Sequence, residues 1–224
     1  MNILVVSDIH NDIESMMRYI DKISLLDFNV VVCPGDFTDI APKGFTKIDI
    51  GKIIIEELRG LNKPLLVLPG NQDKELIPMF EEEKISIHGK GKIIDKVGFY
   101  GFGGAATPFN TSLEPNEEEI KVGLERAYGE VKDSKIRVQV THNPPARTKV
   151  DAISSGAHVG SEAVRKFIEE KHPLVAISAH IHEARGTDEI DGTKLMNAGR
   201  FPEGYCGLVS IDEGKVGMKI INLI

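Results

Sequence analysis

The sequence predicts an α/β fold in which two sheets pack face to face with helices on the outside. Three observations predict it. Short β-branched runs alternate with helix-period segments over residues 1–70, Gly-broken apolar runs follow, and turn-punctuated hairpins fill the end of the 224-residue chain. With no linker, internal repeat or composition shift, residues 1–224 are expected to form one domain.

Residues 3–6 are an uninterrupted apolar run, as a strand buried on both faces requires. Asp12 is placed to cap a helix over 13–26, residues 30–33 form a second strand, a helix over 48–61 follows, and 65–68 is a third strand. This βαβαβ order implies parallel pairing beneath helices. The texture then changes to short runs at 85–88, 92–96 and 98–102, which suggests an antiparallel meander. Helices over 116–131 and 161–171 each precede a strand, at 137–141 and 174–178. Asp191-Gly192 is a type I′ turn signal between strands at 187–190 and 193–196, and a Gly-containing turn joins 208–211 to 216–221.

Composition excludes several classes. Hydrophobic residues at 41% and charged residues at 27% are those of a folded chain. The net charge of −7 argues against a nucleic-acid partner, and no Trp with 6% aromatics leaves little for base stacking. Cys33 and Cys206 form no Cys-x-x-Cys pair and no disulfide framework, so a reducing cytoplasm is expected. Asp8 cuts the N-terminal apolar run short, which reads as a strand and not a signal peptide. No run approaches the roughly 18 residues of a membrane span, so no membrane association is expected. Oligomeric state has no sequence signal.

The informative pattern is where acidic, amide and imidazole residues fall. Asp8-Ile9-His10 follows the first strand, Gly35-Asp36 with Asp39 the second, Gly70-Asn71-Gln72-Asp73 the third, His142-Asn143 the strand at 137–141, and His180-Ile181-His182 the strand at 174–178. In α/β sheets the crevice beyond the carboxyl ends of the strands is where sites form, so these loops can converge. Residues two apart in an extended segment face one side, so Asp8 with His10, and His180 with His182, can each grip one site. Singly, each is a helix cap, a turn glycine or a loop histidine; five strand ends together are a site. Imidazole and carboxylate without thiolate suit Mn, Fe, Zn, Co or Ni. Seven side chains exceed one tetrahedral ion and fit two metals sharing a carboxylate. Such a pair, roughly 3.5–4 Å apart, polarises phosphoryl oxygens and holds a bridging hydroxide for in-line attack.

Asp-x-His, Gly-Asp-x-x-Asp, Gly-Asn-x-Asp, a lone His and then His-x-His, in that order from Asp8 to His182, resemble the calcineurin-like metallophosphoesterase superfamily. The resemblance implies a four-layer α/β/β/α sandwich of two mixed sheets flanked by helices. It places one divalent ion on Asp8, His10, Asp36 and His182 and a second on Asp36, Asn71, His142 and His180, manganese being favoured. Thr141-His-Asn-Pro-Pro145 looks most like the small, uncapped branch, and Asn197-Ala-Gly199 like the glycine turn downstream of the last ligands. Two departures stand out. Ala179 replaces the usual Gly before His-x-His, and Gln72 stands where the family's His protonates the leaving group. Gln is no general acid, and that transfer is worth about 10²–10⁴ in rate, so good leaving groups or another donor are expected.

His158 is a candidate donor, or a loop histidine. Arg200 is a candidate phosphate contact, since guanidinium matches a phosphate edge, or a surface arginine. Asp39 and Asp73 are either supports for ligand side chains or caps. Glu81–Glu83 and Glu117–Glu119 read as solvated helix faces, and Cys33 as an inert core thiol. The expected function is a metal-dependent phosphoesterase acting on small phosphoesters, a phosphodiesterase first of all, with Asp36, Asn71, His158 and Arg200 as its catalytic candidates. The alternative is a non-catalytic protein scaffold on the same fold, as in the retromer scaffold subunit, which resembles this chain in lacking the acid His. Nuclease and protein phosphatase rank lower.

Overall fold

The computed structural model describes residues 1–224. The chain opens with β1 (Asn2–Val5), α1 (Ile13–Ser24), β2 (Val30–Cys33), α2 (Lys47–Arg59), β3 (Leu65–Val67) and α3 (Ile77–Glu82). A hairpin of β4 (Lys90–Ile94) and β5 (Val97–Phe102) follows, then α4 (Glu117–Gly129), β6 (Ile136–Thr141), α5 (Glu162–Lys171) and β7 (Val175–Ser178). Two hairpins finish it: β8 (Gly186–Ile190) with β9 (Thr193–Asn197), and β10 (Tyr205–Asp212) with β11 (Lys215–Asn222).

Helix starts follow their sequence signals. Asp12 accepts from Ser15 N–H at 2.9 Å, Thr46 and Asp49 form a reciprocal capping box, as do Asn116 and Glu119, and Ser161 accepts from Val164 N–H. Each such cap is worth about 1 kcal/mol. At the end of α5, His172 turns left-handed (φ 43°) ahead of Pro173, which cannot continue a helix.

One sheet runs β11-β10-β1-β2-β3 and the other β4-β5-β6-β7-β9-β8. β1, β2 and β3 are parallel, as are β5, β6, β7 and β9. Side chains alternate across these strands and build three apolar layers. Ile3, Val5, Val30, Val32, Phe99, Val138, Val140 and Ile177 meet between the sheets. Leu4, Val31 and Val67 point the other way into α1–α3, while Tyr100, Ala176 and Leu195 meet α4 and α5. The result is helices, sheet, sheet, helices, each buried aliphatic side chain contributing roughly 1.5–3 kcal/mol.

Two features differ from the sequence expectation. Residues 85–88 are no strand of a meander; Ser86 bridges to Val67 and His88 to Gly101, so this segment stitches one sheet to the other. Asp95 and Lys96 both take positive φ (46° and 70°) as the turn of the β4–β5 hairpin, so Lys96 lies outside the strand. The last hairpin returns to the start of the chain, β10 pairing antiparallel with β1. No helix is long and apolar enough to cross a membrane. Cys33 and Cys206 are free, buried thiols, and burial pushes Cys206 up to about 12.

Candidate metal centre

The sites singled out in the sequence lie past the carboxyl ends of β1, β2, β3, β6 and β7, and the two sheets aim those ends at one place. Local backbone there is strained. Asp8 (φ 54°), His10 (φ 49°), Asp36 (φ 52°) and His180 (φ 71°) are all left-handed, at about 1 kcal/mol or more each for a residue with a Cβ. Hydrogen bonds between loops hold them: Asp8 N–H donates to Gly35 O at 3.1 Å and His10 N–H to Asp36 O at 3.0 Å. Ala179 is not left-handed; that conformation falls on His180, so the Gly-to-Ala departure has no backbone cost.

Two glycines make room. A Cβ on Gly70 would lie 2.0 Å from Asp36 Oδ1, and one on Gly35 (φ 112°) would lie 2.5 Å from Gly70 N and 2.8 Å from His142 Nδ1. The loops after β2 and β3 therefore approach backbone to backbone. Asp73 binds them together: its buried carboxylate accepts from Phe37 N–H, Thr38 N–H, the Thr38 hydroxyl and Gly70 N–H at 2.8–3.0 Å. Burial and the nearby Asp36 charge raise its pKa above the ordinary carboxylate range.

Asp8, His10 and His182 gather one set of donor atoms within 4.8 Å of one another, and Asp36, His142 and His180 gather a second. In the first, His10 Nε2 lies 3.2 Å from His182 Nε2, and His182 Nε2 lies 3.6 Å from Asp8 Oδ1. In the second, His142 Nε2 lies 3.0 Å from Asn71 Oδ1 and its ring centroid 4.9 Å from that of His180. Asp36 joins the sets, Oδ2 standing 3.6 Å from His10 Nε2 and 3.4 Å from His142 Nε2. His142 Nδ1 is 2.9 Å from Pro34 O, which can only accept, so Nδ1 carries a proton and Nε2 is turned toward Asp36 and Asn71.

Electrostatics reflect this crowding. Burial opposes charge on both Asp36 and His142, yet their mutual attraction wins: it holds the Asp36 carboxyl well below the usual range and lifts His142 to about 9. His180, buried beside His142, is pushed down to about 4. Burial works against a charged His182 as well, but the hydrogen bond and charge of Asp8 raise it. Asp8 Oδ2 and His10 Nδ1 are buried without any hydrogen-bond partner. An orphaned carboxylate oxygen amid imidazole nitrogens within 4.8 Å fits a divalent cation.

The remaining candidates fall at different distances from this cluster. Gln72 lines the cavity of about 550 Å³ above the donors, and its N–H donates to Asp36 Oδ1 at 3.2 Å. Arg200 places its charge where His182 feels it, and its Nε is buried without a partner. His158 does not line that cavity; its Nδ1 lies 2.7 Å from Asp151 Oδ1. Its neighbour Val159 does line it, and adjacent residues of an extended segment project to opposite sides. Asp39 Oδ2 stands 3.9 Å from His10 Nδ1, too far for a hydrogen bond. Sequence reasoning missed the structural work of Asn197, whose Nδ2 donates to Ile181 O between the two histidines while Oδ1 accepts from Gly199 N–H. Its place after a strand, in Asn-Ala-Gly, was the available signal. It also missed the cavity wall over 106–111, which has no sequence pattern.

Comparison with known proteins shows the family and the fold. Residues 1–184 match the calcineurin-like phosphoesterase family. An uncharacterized protein of Methanocaldococcus jannaschii, MJ1162, is 35% identical over 214 residues, covering 92% of this chain and 90% of its own. Among solved structures, TT1561 of Thermus thermophilus superimposes with a TM-score of 0.75 at 18% identity, covering 100% of this chain and 99% of that one. A dimetal phosphatase of Danio rerio superimposes at 0.64 with 10% identity, covering 100% and 96%.

Proposed function

Because the chain belongs to the calcineurin-like phosphoesterase family, we propose that it is a binuclear metal-dependent phosphoesterase that prefers phosphodiesters with good leaving groups. The observation that carries this reading is one carboxylate facing both donor sets, Asp36 Oδ2 between His10 Nε2 and His142 Nε2. We assign Asp8, His10, Asp36 and His182 to one cation and Asp36, Asn71, His142 and His180 to the other; the family generally binds two divalent metals. When bound, such cations polarise phosphoryl oxygens and lower the pKa of water, and manganese is the ion we assign.

The chain's own residues set the rest. Pro34 O fixes the tautomer that turns His142 Nε2 inward, and Gln72 N–H holds Asp36 in its shared position. The Gln72 side chain enters the cavity as an amide, able to orient an ester oxygen but not to protonate it. A leaving oxygen therefore departs as an anion, which favours phenolates over alkoxides. Arg200 offers an unpartnered guanidinium N–H beside His182 for a phosphoryl oxygen. No proton is drawn from His158, whose ring is held on Asp151. A protein scaffold on the same fold has no use for seven converging donors, so the complete set favours catalysis.

The test is turnover of bis(p-nitrophenyl) phosphate by manganese-loaded protein beside an Asp36→Asn control. Release of p-nitrophenol well above the control supports the reading, and equal rates remove it.

A further inference from the structure

The cavity over the donor cluster has two unlike halves. Its floor is polar, from His10, Asp36, Asn71, Gln72, His180 and His182. Its walls come from residues 106–109 and 111 after β5 together with Ile153, Val159 and Ile181, and they carry no Lys, Arg, Asp or Glu. The two threonines in the wall do not relieve this. The hydroxyls of Thr107 and Thr111 both donate to Glu114 Oε1 at 2.6 Å, so neither proton is free for a ligand. In this wall Phe109 is 79% exposed and Val159 is 42% exposed.

The apolar wall is held in register with the donors. Leu113 N–H and the Ser112 hydroxyl both donate to Asn71 O, at 2.9 and 3.1 Å, and Ala105 N–H donates to Leu113 O. Glu114 closes the loop on itself by accepting also from Thr111 N–H. A group tethered to a phosphorus seated at the floor thus meets an apolar slot whose backbone is hydrogen-bonded to the donor loop.

We propose that this slot, walled by Phe109 and Val159, selects esters whose phosphorus carries an uncharged, ring-sized apolar substituent such as an aryl group. The inference rests on the phosphoesterase reading and deepens it. A nucleobase edge, a sugar or a second phosphate would bring polar groups against walls that offer no charge and no free side-chain proton. A ring brings area that Phe109 and Val159 otherwise leave in water.

The experiment compares phenylphosphonate with methylphosphonate binding to manganese-loaded protein by calorimetry. Both present the same headgroup and neither has a scissile ester. The phenyl compound is expected to bind about 10–50-fold tighter, from the extra apolar area covered. In a Phe109→Ala, Val159→Ala variant that ratio falls to about threefold or less. Phe109 is exposed, so Phe109→Ala alone serves if the pair fails to fold. A ratio near one in the native protein, or a ratio retained in the variant, overturns the proposal. Failure of the two readings is separable: selective phenylphosphonate binding without turnover of the p-nitrophenyl diester sinks hydrolysis alone, and turnover with a ratio near one sinks the slot alone. Binding of neither compound overturns the slot.

Discussion

Asp36 Oδ2 stands 3.4 Å from His142 Nε2, although Asp36 follows β2 of one sheet and His142 follows β6 of the other. The candidate centre is therefore a joint between the sheets, and side chains that position this pair act on both folding and metal affinity. Gly70 is the clearest case. Its missing Cβ leaves the space that Asp36 occupies, and the clash partner includes the Asp36 backbone nitrogen at 2.2 Å, which cannot swing aside. Gly70→Ala is expected to lower stability by about 3 kcal/mol and to abolish metal binding. Urea unfolding and metal analysis of the purified variant check this; native-like values for both contradict it.

Strain at the donors predicts an inverted preference. His10 is left-handed, so in metal-free protein His10→Gly should be more stable than His10→Ala by about 1 kcal/mol. At an ordinary loop position alanine would be favoured, because glycine leaves the unfolded chain freer. Paired denaturant titrations read the sign directly.

Gln72 predicts the leaving-group dependence. The rate should fall steeply as the leaving group becomes a poorer anion, from p-nitrophenyl to alkyl diesters. Gln72→His should raise kcat on the alkyl ester by about 10-fold or more, with little change on the p-nitrophenyl ester. An equal effect on both substrates would show that position 72 transfers no proton even when it can.

His88 predicts a pH dependence of stability away from the donors. Its ring stacks on Phe102 and its Nδ1 accepts from Gly103 N–H at 2.9 Å, which requires the neutral form. Burial holds its pKa down at about 4, aided by the charges of Arg126 and Lys90 and opposed by Glu81. The unfolded chain takes up this proton near pH 6.5 and the native one near 4, so the contribution is complete above that upper value and is lost as pH falls through the interval. The shift is worth up to about 3 kcal/mol. Between pH 7 and pH 4.5, the stability advantage of the native protein over His88→Gln should shrink by about 2 kcal/mol in urea unfolding. A constant advantage contradicts the assignment.

Much of the site was legible because its chemistry sits at strand ends. Asp8, Asp36, Asn71, His142 and His180 each end a readable apolar run, and parallel strands deliver their carboxyl ends to one edge. Other features depend on contacts distant in sequence. Asp73 reads as a cap, yet it binds four groups on two loops. Phe109 lies in a segment with no periodicity, and nothing in its neighbours shows that it faces the donors. The pairing of β10 with β1 joins the ends of the chain, which no local pattern encodes. His158 is a case the sequence leaves open between donor and loop histidine; its Nδ1 lies 2.7 Å from Asp151 Oδ1.

Metal content tests the central claim most directly. Protein dialysed against manganese and then passed through a desalting column should retain two ions per chain, and Asp36→Asn, which weakens the carboxylate shared by both sets, should retain fewer than one. Retention of no ion by the native chain, or of two by both proteins, would contradict a binuclear centre built around Asp36.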